Sequence, residues 1–193
     1  MPFQTTVLRI EYDNPPLAID IASNGHLRTS DEGETASPGE EADPGALRES
    51  EFNNLKQLGI VCKMFVYENQ DYLPGGWLMV YPEYLSDLRV LQSPWAAEGT
   101  VSYELLFPGE TEKDLQDLAT RLVESGAVSV PNGSEAGSQQ AISQSEIPIV
   151  VSGEELPAQG DLPPARAVLF LDGHVEAVTR SEWDARITPF LRQ

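Results

Sequence analysis

Leu47, Phe52, Leu55, Leu58, Cys62 and Phe65 or Val66 recur at spacings of three to five residues, and this stripe constrains the fold more than any other feature. Such spacing collects apolar side chains on one side of a 3.6-residue turn, so it predicts an amphipathic helix over 46–69. Arg48, Glu49, Glu51, Asn54, Lys56 and Lys63 are expected mostly off the stripe. Asp43 or Ser50 can cap the start, and Pro74-Gly75-Gly76 lies beyond any plausible end.

The segments after that helix read mainly as strands. Trp77 to Tyr81 and Val101 to Phe107 are β-rich and separated by turn material around Ser93-Pro94-Trp95. Thr111-Glu112-Lys113-Asp114 starts a second helix, with Leu115, Leu118 and Leu122 as its apolar side. Ile147 to Val151 carries a proline near its start and is expected at a sheet edge. Ala167 to Leu171 is continuously apolar, as a central strand would be, and Asp172-Gly173 turns the chain back through His174 to Thr179. Thr179 and Glu182 have capping-box spacing ahead of a short closing helix bearing Trp183, Ile187 and Leu191, which Pro189 should interrupt. A helix followed by antiparallel strands predicts an α+β fold, with the helix covering the sheet.

Three regions divide the chain. Residues 1–28 hold three short β-rich runs, with Asn24-Gly25 as a tight turn, and should form a small β element. Residues 29–45 carry six carboxylates and no large apolar side chain, and read as an acidic linker. Residues 46–193 form the α+β domain, with a flexible Ser/Gly/Gln-rich loop over about 125–145. The charge balance, 12 Lys+Arg against 31 Asp+Glu, gives −19 and argues against nucleic acid or an anionic membrane as partner. No apolar run approaches the roughly 20 residues of a membrane span.

Chemistry-bearing residues are sparse. The sequence contains no phosphate-binding loop, dinucleotide fingerprint, H-E-x-x-H or G-x-S-x-G motif. One cysteine cannot form an intrachain disulfide, and Cys62 on the apolar stripe reads as a core residue. His26 and His174 each follow a tight turn and are expected to be exposed. Glu154, Glu155 and Asp161 could assemble a calcium site or simply form a solvated acidic loop. Trp77, Tyr81, Tyr84 and Trp95 could be a recognition surface or could pack on the long helix. No catalytic, metal or cofactor residue is assigned.

Three ordered segments resemble bacterial type IV pilin-like proteins (pseudopilins) of the subgroup named for an H-x9-DG motif. Phe52 to Asn69, FNNLKQLGIVCKMFVYEN, is similar to the later part of that family's N-terminal helix. Tyr81-Pro82-Glu83-Tyr84-Leu85-Ser86-Asp87 is similar to its YPEYLSD, although Ser93-Pro94-Trp95 stands where a Cys-Pro-Ser usually follows. Arg166 to Glu176, RAVLFLDGHVE, is similar to its closing motif, but Leu162 occupies the motif's histidine position. The resemblance implies a pilin-like fold with a long N-terminal helix on an antiparallel sheet. It also implies an extracytoplasmic setting in the periplasm or cell envelope, and a non-enzymatic structural role in type II secretion or type IV pilus assembly. Protein partners or self-assembly are implied, with no cofactor. The family's prepilin leader and hydrophobic half-helix have no counterpart in residues 1–45, so either an upstream segment supplies them or those residues replace them. Without that half-helix, polymerisation by the family's route is not expected. The alternatives are a calcium- or glycan-binding module and a carboxylate-dependent hydrolase using His174 as its acid–base partner.

Overall fold

A computed structural model of the protein describes residues 43–128 and 142–191. The β element expected over 1–28, the linker ahead of Asp43, His26 and residues 129–141 of the Ser/Gly/Gln loop lie outside the described residues.

The stripe becomes helix α1, Pro44–Glu68. Asp43 starts it by accepting the Gly45 N–H, and Pro44 stands in the first turn, where a proline's missing N–H removes no helical bond. Leu55, Leu58, Val61, Cys62, Phe65 and Val66 are all buried. Four strands follow: β1 (Tyr103–Leu105), β2 (Pro148–Ser152), β3 (Ala165–Phe170) and β4 (Val175–Thr179). They form one sheet in the order β1-β2-β3-β4, and every neighbouring pair is antiparallel. Helix α2 (Glu112–Glu124) lies between β1 and β2 in the chain and buries Leu115, Leu118, Ala119 and Leu122. Two short helices, α3 (Arg180–Arg186) and α4 (Thr188–Leu191), close the described chain.

Both sides of the sheet are covered. Ala167 and Leu169 of β3 belong to the core shared with α1 and α2. Val168 and Phe170 alternate to the other side, where they join Val151, Val178 and Ile187 beneath Trp183 of α3. That is why β3 reads as an unbroken apolar run. Helix α1 lies close on the sheet at Gly59, where an added Cβ would lie 3.0 Å from Leu169 Cδ1. A larger side chain there would force Leu169 or the helix to shift.

Four expectations need correction. Trp77 to Tyr81 is not a strand: Trp77–Met79 forms one 3₁₀ turn, and the Trp77 indole donates its Nε1–H to Tyr103 O at 2.7 Å. The indole therefore occupies the outer margin of β1 and leaves no room for a fifth strand there. Strand β2 is interior, not an edge. Its hydrogen bonding to β1 ends at Ile149, whose carbonyl accepts the Leu106 N–H at 3.0 Å, so Pro148 sits beyond that ladder and its missing N–H costs nothing. Glu51, grouped with the residues expected mostly off the stripe, is completely buried. In the closing helix, Leu191 is 46% exposed, and Phe190 is the buried residue instead because Pro189 restarts the helix after Ile187.

Two helix starts carry full capping boxes. Thr111 and Asp114 exchange side-chain and backbone bonds at α2, as Thr179 and Glu182 do at α3. Bonds from Thr111 hold the Asp114 carboxyl below its usual range, and bonds from Thr179 do the same for Glu182.

Gly59→Leu should destabilise the fold by about 1–3 kcal/mol, because a packed helix–sheet contact resists added volume. Urea denaturation with an unchanged midpoint would contradict this placement of α1. The capping carboxylates titrate lower in the folded than in the unfolded chain. They therefore add stability above roughly pH 4–5, and that increment is lost as pH falls through their depressed values. The variant Asp114→Asn/Glu182→Gln should lose less of its urea midpoint than the parent between pH 5 and pH 3. An equal or larger loss would show that these boxes do not contribute.

Candidate functional site

Most candidate residues turn out to serve packing. Cys62 lies on the sheet side of α1, and burial pushes its thiol up to about 12. At neutral pH it is a protonated, inert core residue. In the aromatic group, Tyr84 stacks edge-on against Phe65 at 5.5 Å between ring centres and donates its hydroxyl to Glu68 Oε2 at 2.7 Å. Trp77, Tyr84 and Trp95 are half-buried against the core, whereas Tyr81 remains exposed. The aromatic cluster is thus mostly the cover over the end of α1.

His174 sits in the turn before β4 and is not bare. Its ring lies parallel to Phe170 at 4.5 Å, and its Nδ1 shares a 2.6 Å hydrogen bond with Asp172 Oδ1. Burial opposes the Asp172 charge, but bonds from the His174 ring and backbone N–H outweigh it and hold that carboxyl below its usual range. The second ring nitrogen faces Glu176 Oε2 at 3.9 Å, not a hydroxyl or thiol that it could activate. Glu176 is in turn gripped by both ends of the Arg186 guanidinium, at 2.9 and 2.8 Å.

Glu154, Glu155 and Asp161 are not brought together. Among the described residues no group of three or more His, Cys, Asp or Glu side chains is placed to hold a metal ion. Leu162, at the position of the pilin-like motif's histidine, is about half-exposed and its carbonyl accepts the Gln159 N–H. An open groove of about 700 Å³ runs beside α2 over Phe107, Leu115 and Leu118. It is rimmed by Glu110, Asp114, Asp117 and Arg121, and its lining contains neither histidine nor cysteine.

Two features escaped the sequence reading. One is a buried polar joint between α1 and the loop before β1. Ser93 Oγ donates to Glu51 Oε2 at 2.6 Å and accepts the Trp95 N–H at 3.2 Å, with Glu51 and Ser93 both fully buried. Asn54 donates to Gln92 O at 3.0 Å beside it. Burial and the nearby Glu51 charge push the Tyr103 phenol well up. Glu51 is four residues from both Leu47 and Leu55, so helical spacing alone placed it on the stripe. The other feature is the outward side of α1, where Ile60, Met64 and Tyr67 are 61%, 47% and 90% exposed. Their spacing of four and three residues puts them on one line along the helix. Tyr72, Leu78, Met79 and Tyr81 in the following loop are also exposed, so among the described residues the uncovered apolar side chains concentrate between 60 and 81.

No helix among the described residues is long and apolar enough to cross a membrane. No family model matches the chain, and no curated protein or solved structure matches it.

Ser93→Ala should cost about 1–3 kcal/mol in chemical denaturation, because it strands a buried carboxylate without its donor. Glu51→Met combined with Ser93→Ala should recover most of that loss. A double variant as unstable as the single one would show that the joint does not work through this bond.

Proposed function

We propose that the chain is a pilin-like domain that acts through protein–protein contacts in an extracytoplasmic secretion or pilus-type assembly, and not as an enzyme. The observation that carries this reading is α1. Its 25 residues cover a four-stranded antiparallel sheet with one side, while Ile60, Met64 and Tyr67 leave the opposite side apolar and open. Met and Tyr are enriched at protein interfaces, and an uncovered apolar stripe of this kind suits docking better than solvation. The three segments similar to pseudopilins fall on α1, on the loop covering its end, and on the β3–β4 hairpin. The order and spacing of the resemblance therefore follow one packed unit.

The placement of the candidate chemical groups supports the same reading. Cys62 is inert, His174 is locked between Phe170 and two carboxylates, and the acidic loop gathers no ligand set. The test is association of the full chain measured by light scattering and chemical cross-linking, with Ile60→Glu/Met64→Glu as the probe variant. The parent should associate with itself or with co-produced envelope proteins, and the variant should lose at least tenfold in affinity with its melting temperature kept. A strictly monomeric chain that hydrolyses a member of an ester, glycoside or peptide panel would overturn the proposal.

A further inference from the structure

The two margins of the sheet are finished differently. Strand β1 has three residues, and its margin is occupied by the Trp77 indole bonded to Tyr103 O. Strand β4 has five residues and, among the described residues, ends the sheet and pairs with β3 alone. Phe170 N–H donates to His174 O at 3.0 Å, so residues 174, 176 and 178 face β3. Val175 and Ala177 therefore turn their N–H and C=O groups away from the sheet, and no described residue bonds them. Thr179 would continue the row, but its N–H is taken by Glu182 Oε2 at 2.9 Å. The open margin carries no proline, lysine or bulge, and the one charge set along it is Glu176 in mid-strand, which deters an acidic partner more than a basic one.

We propose that the β4 edge is a strand-addition site for an extended, basic segment of a partner protein. Main-chain bonds to Val175 and Ala177 would supply the register, as in other cases of β-augmentation. The choice of a cationic occupant rests on charge. Arg186 is shared between Glu176 at 2.8 Å and Glu146 at 3.6 Å, so two carboxylates divide one guanidinium. The residue opposite Glu176 in an added antiparallel strand would lie about 4.5–5.5 Å away between Cβ atoms, within reach of a Lys or Arg head group. Residues on either side of it would lie beside Val175 and Ala177, which pack on the α1 core, so they should be apolar. The occupant thus reads apolar–basic–apolar. A second copy paired through the same edge would bring another Glu176 instead of a cation, and like charges opposite one another across a strand pair are destabilising. This site goes beyond the assembly reading and uses none of the α1 residues that test it.

The experiment titrates the isotope-labelled full chain with the peptide Ac-Val-Lys-Val-Lys-Val-NH2 and with its glutamate counterpart, followed by amide NMR and hydrogen exchange. The lysine peptide should shift the Val175 and Ala177 amides, slow their exchange and bind at least tenfold more tightly than the glutamate peptide. Ala177→Pro, which removes an outward N–H and no β3 bond, should abolish binding with the melting curve retained. If that variant does not fold, Glu176→Gln should still shrink the lysine preference several-fold. Equal binding of both peptides, or shifts confined to other residues, would overturn the proposal. So would exchange protection of Val175 and Ala177 in the free chain at every concentration, because the edge would then already be covered. Protection that rises with protein concentration would identify a second copy as the occupant and overturn it too.

Discussion

The described fold depends on how closely α1 can lie against β3. Without a side chain, Gly59 lets the helix backbone approach Leu169, and the apolar residues on either side then reach the sheet together. Leu55 and Leu58 on one side and Cys62 and Phe65 on the other are buried because the crossing point lies between them. A glycine inside a helix costs roughly 1 kcal/mol relative to alanine, so its presence in mid-helix marks a packing need stronger than that penalty. The contact also explains the direction of the β3–β4 hairpin: Gly173 O, 3.8 Å from the Cβ that Gly59 lacks, brings the turn up against the same stretch of α1.

A helix held at one close point could still pivot, and the polar joint at Glu51 restrains it. Two turns before Gly59, the carboxylate takes the Ser93 hydroxyl, which in turn fixes the Trp95 backbone. Burying a charge on a single short hydrogen bond adds little net stability, since desolvation offsets most of the gain. What it adds is orientation, because the bond is directional and the apolar contacts around it are not. At the other end of α1, Tyr84 ties Glu68 and packs on Phe65, so the loop from 80 to 103 is anchored at both ends of the helix.

This division explains which parts of the fold were legible in the sequence. Elements specified by their own periodicity or local spacing were: α1, α2, β3, the hairpin turn and the capping box at Thr179, whereas the box at Thr111 was legible only as a helix start. Elements whose state depends on a distant partner were not. Trp77 to Tyr81 has strand-like residues but becomes a 3₁₀ turn because its indole finds a carbonyl 26 residues away. Pro148 suggested an edge, but the length of β1, which no local pattern of β2 records, makes it harmless. Glu51 was misread for the opposite reason: its spacing was right for burial, and its charge was allowed to outweigh the spacing. The candidate site was less legible still. The exposed Ile60, Met64 and Tyr67 repeat at helical spacing too, but beside a longer buried stripe they look like ordinary scatter.

The overall charge sorts the kinds of contact this surface can make. At −19, two copies repel each other, but at physiological ionic strength exposed charges are largely screened beyond about 8 Å. A homotypic contact therefore has to be made by short-range forces, and the outer line of α1 offers them: three apolar side chains in a row with Lys56 and Lys63 close by, so that carboxylates are locally diluted. The β4 margin has the opposite character. It offers directed main-chain groups and a carboxylate, Glu176, that shares its guanidinium partner with Glu146, so it favours an approaching cation and a defined strand register. The capping box at Thr179 limits that register to Val175 and Ala177 by consuming the next N–H. The same bond that starts α3 thus sets how much of the sheet edge is left for a partner.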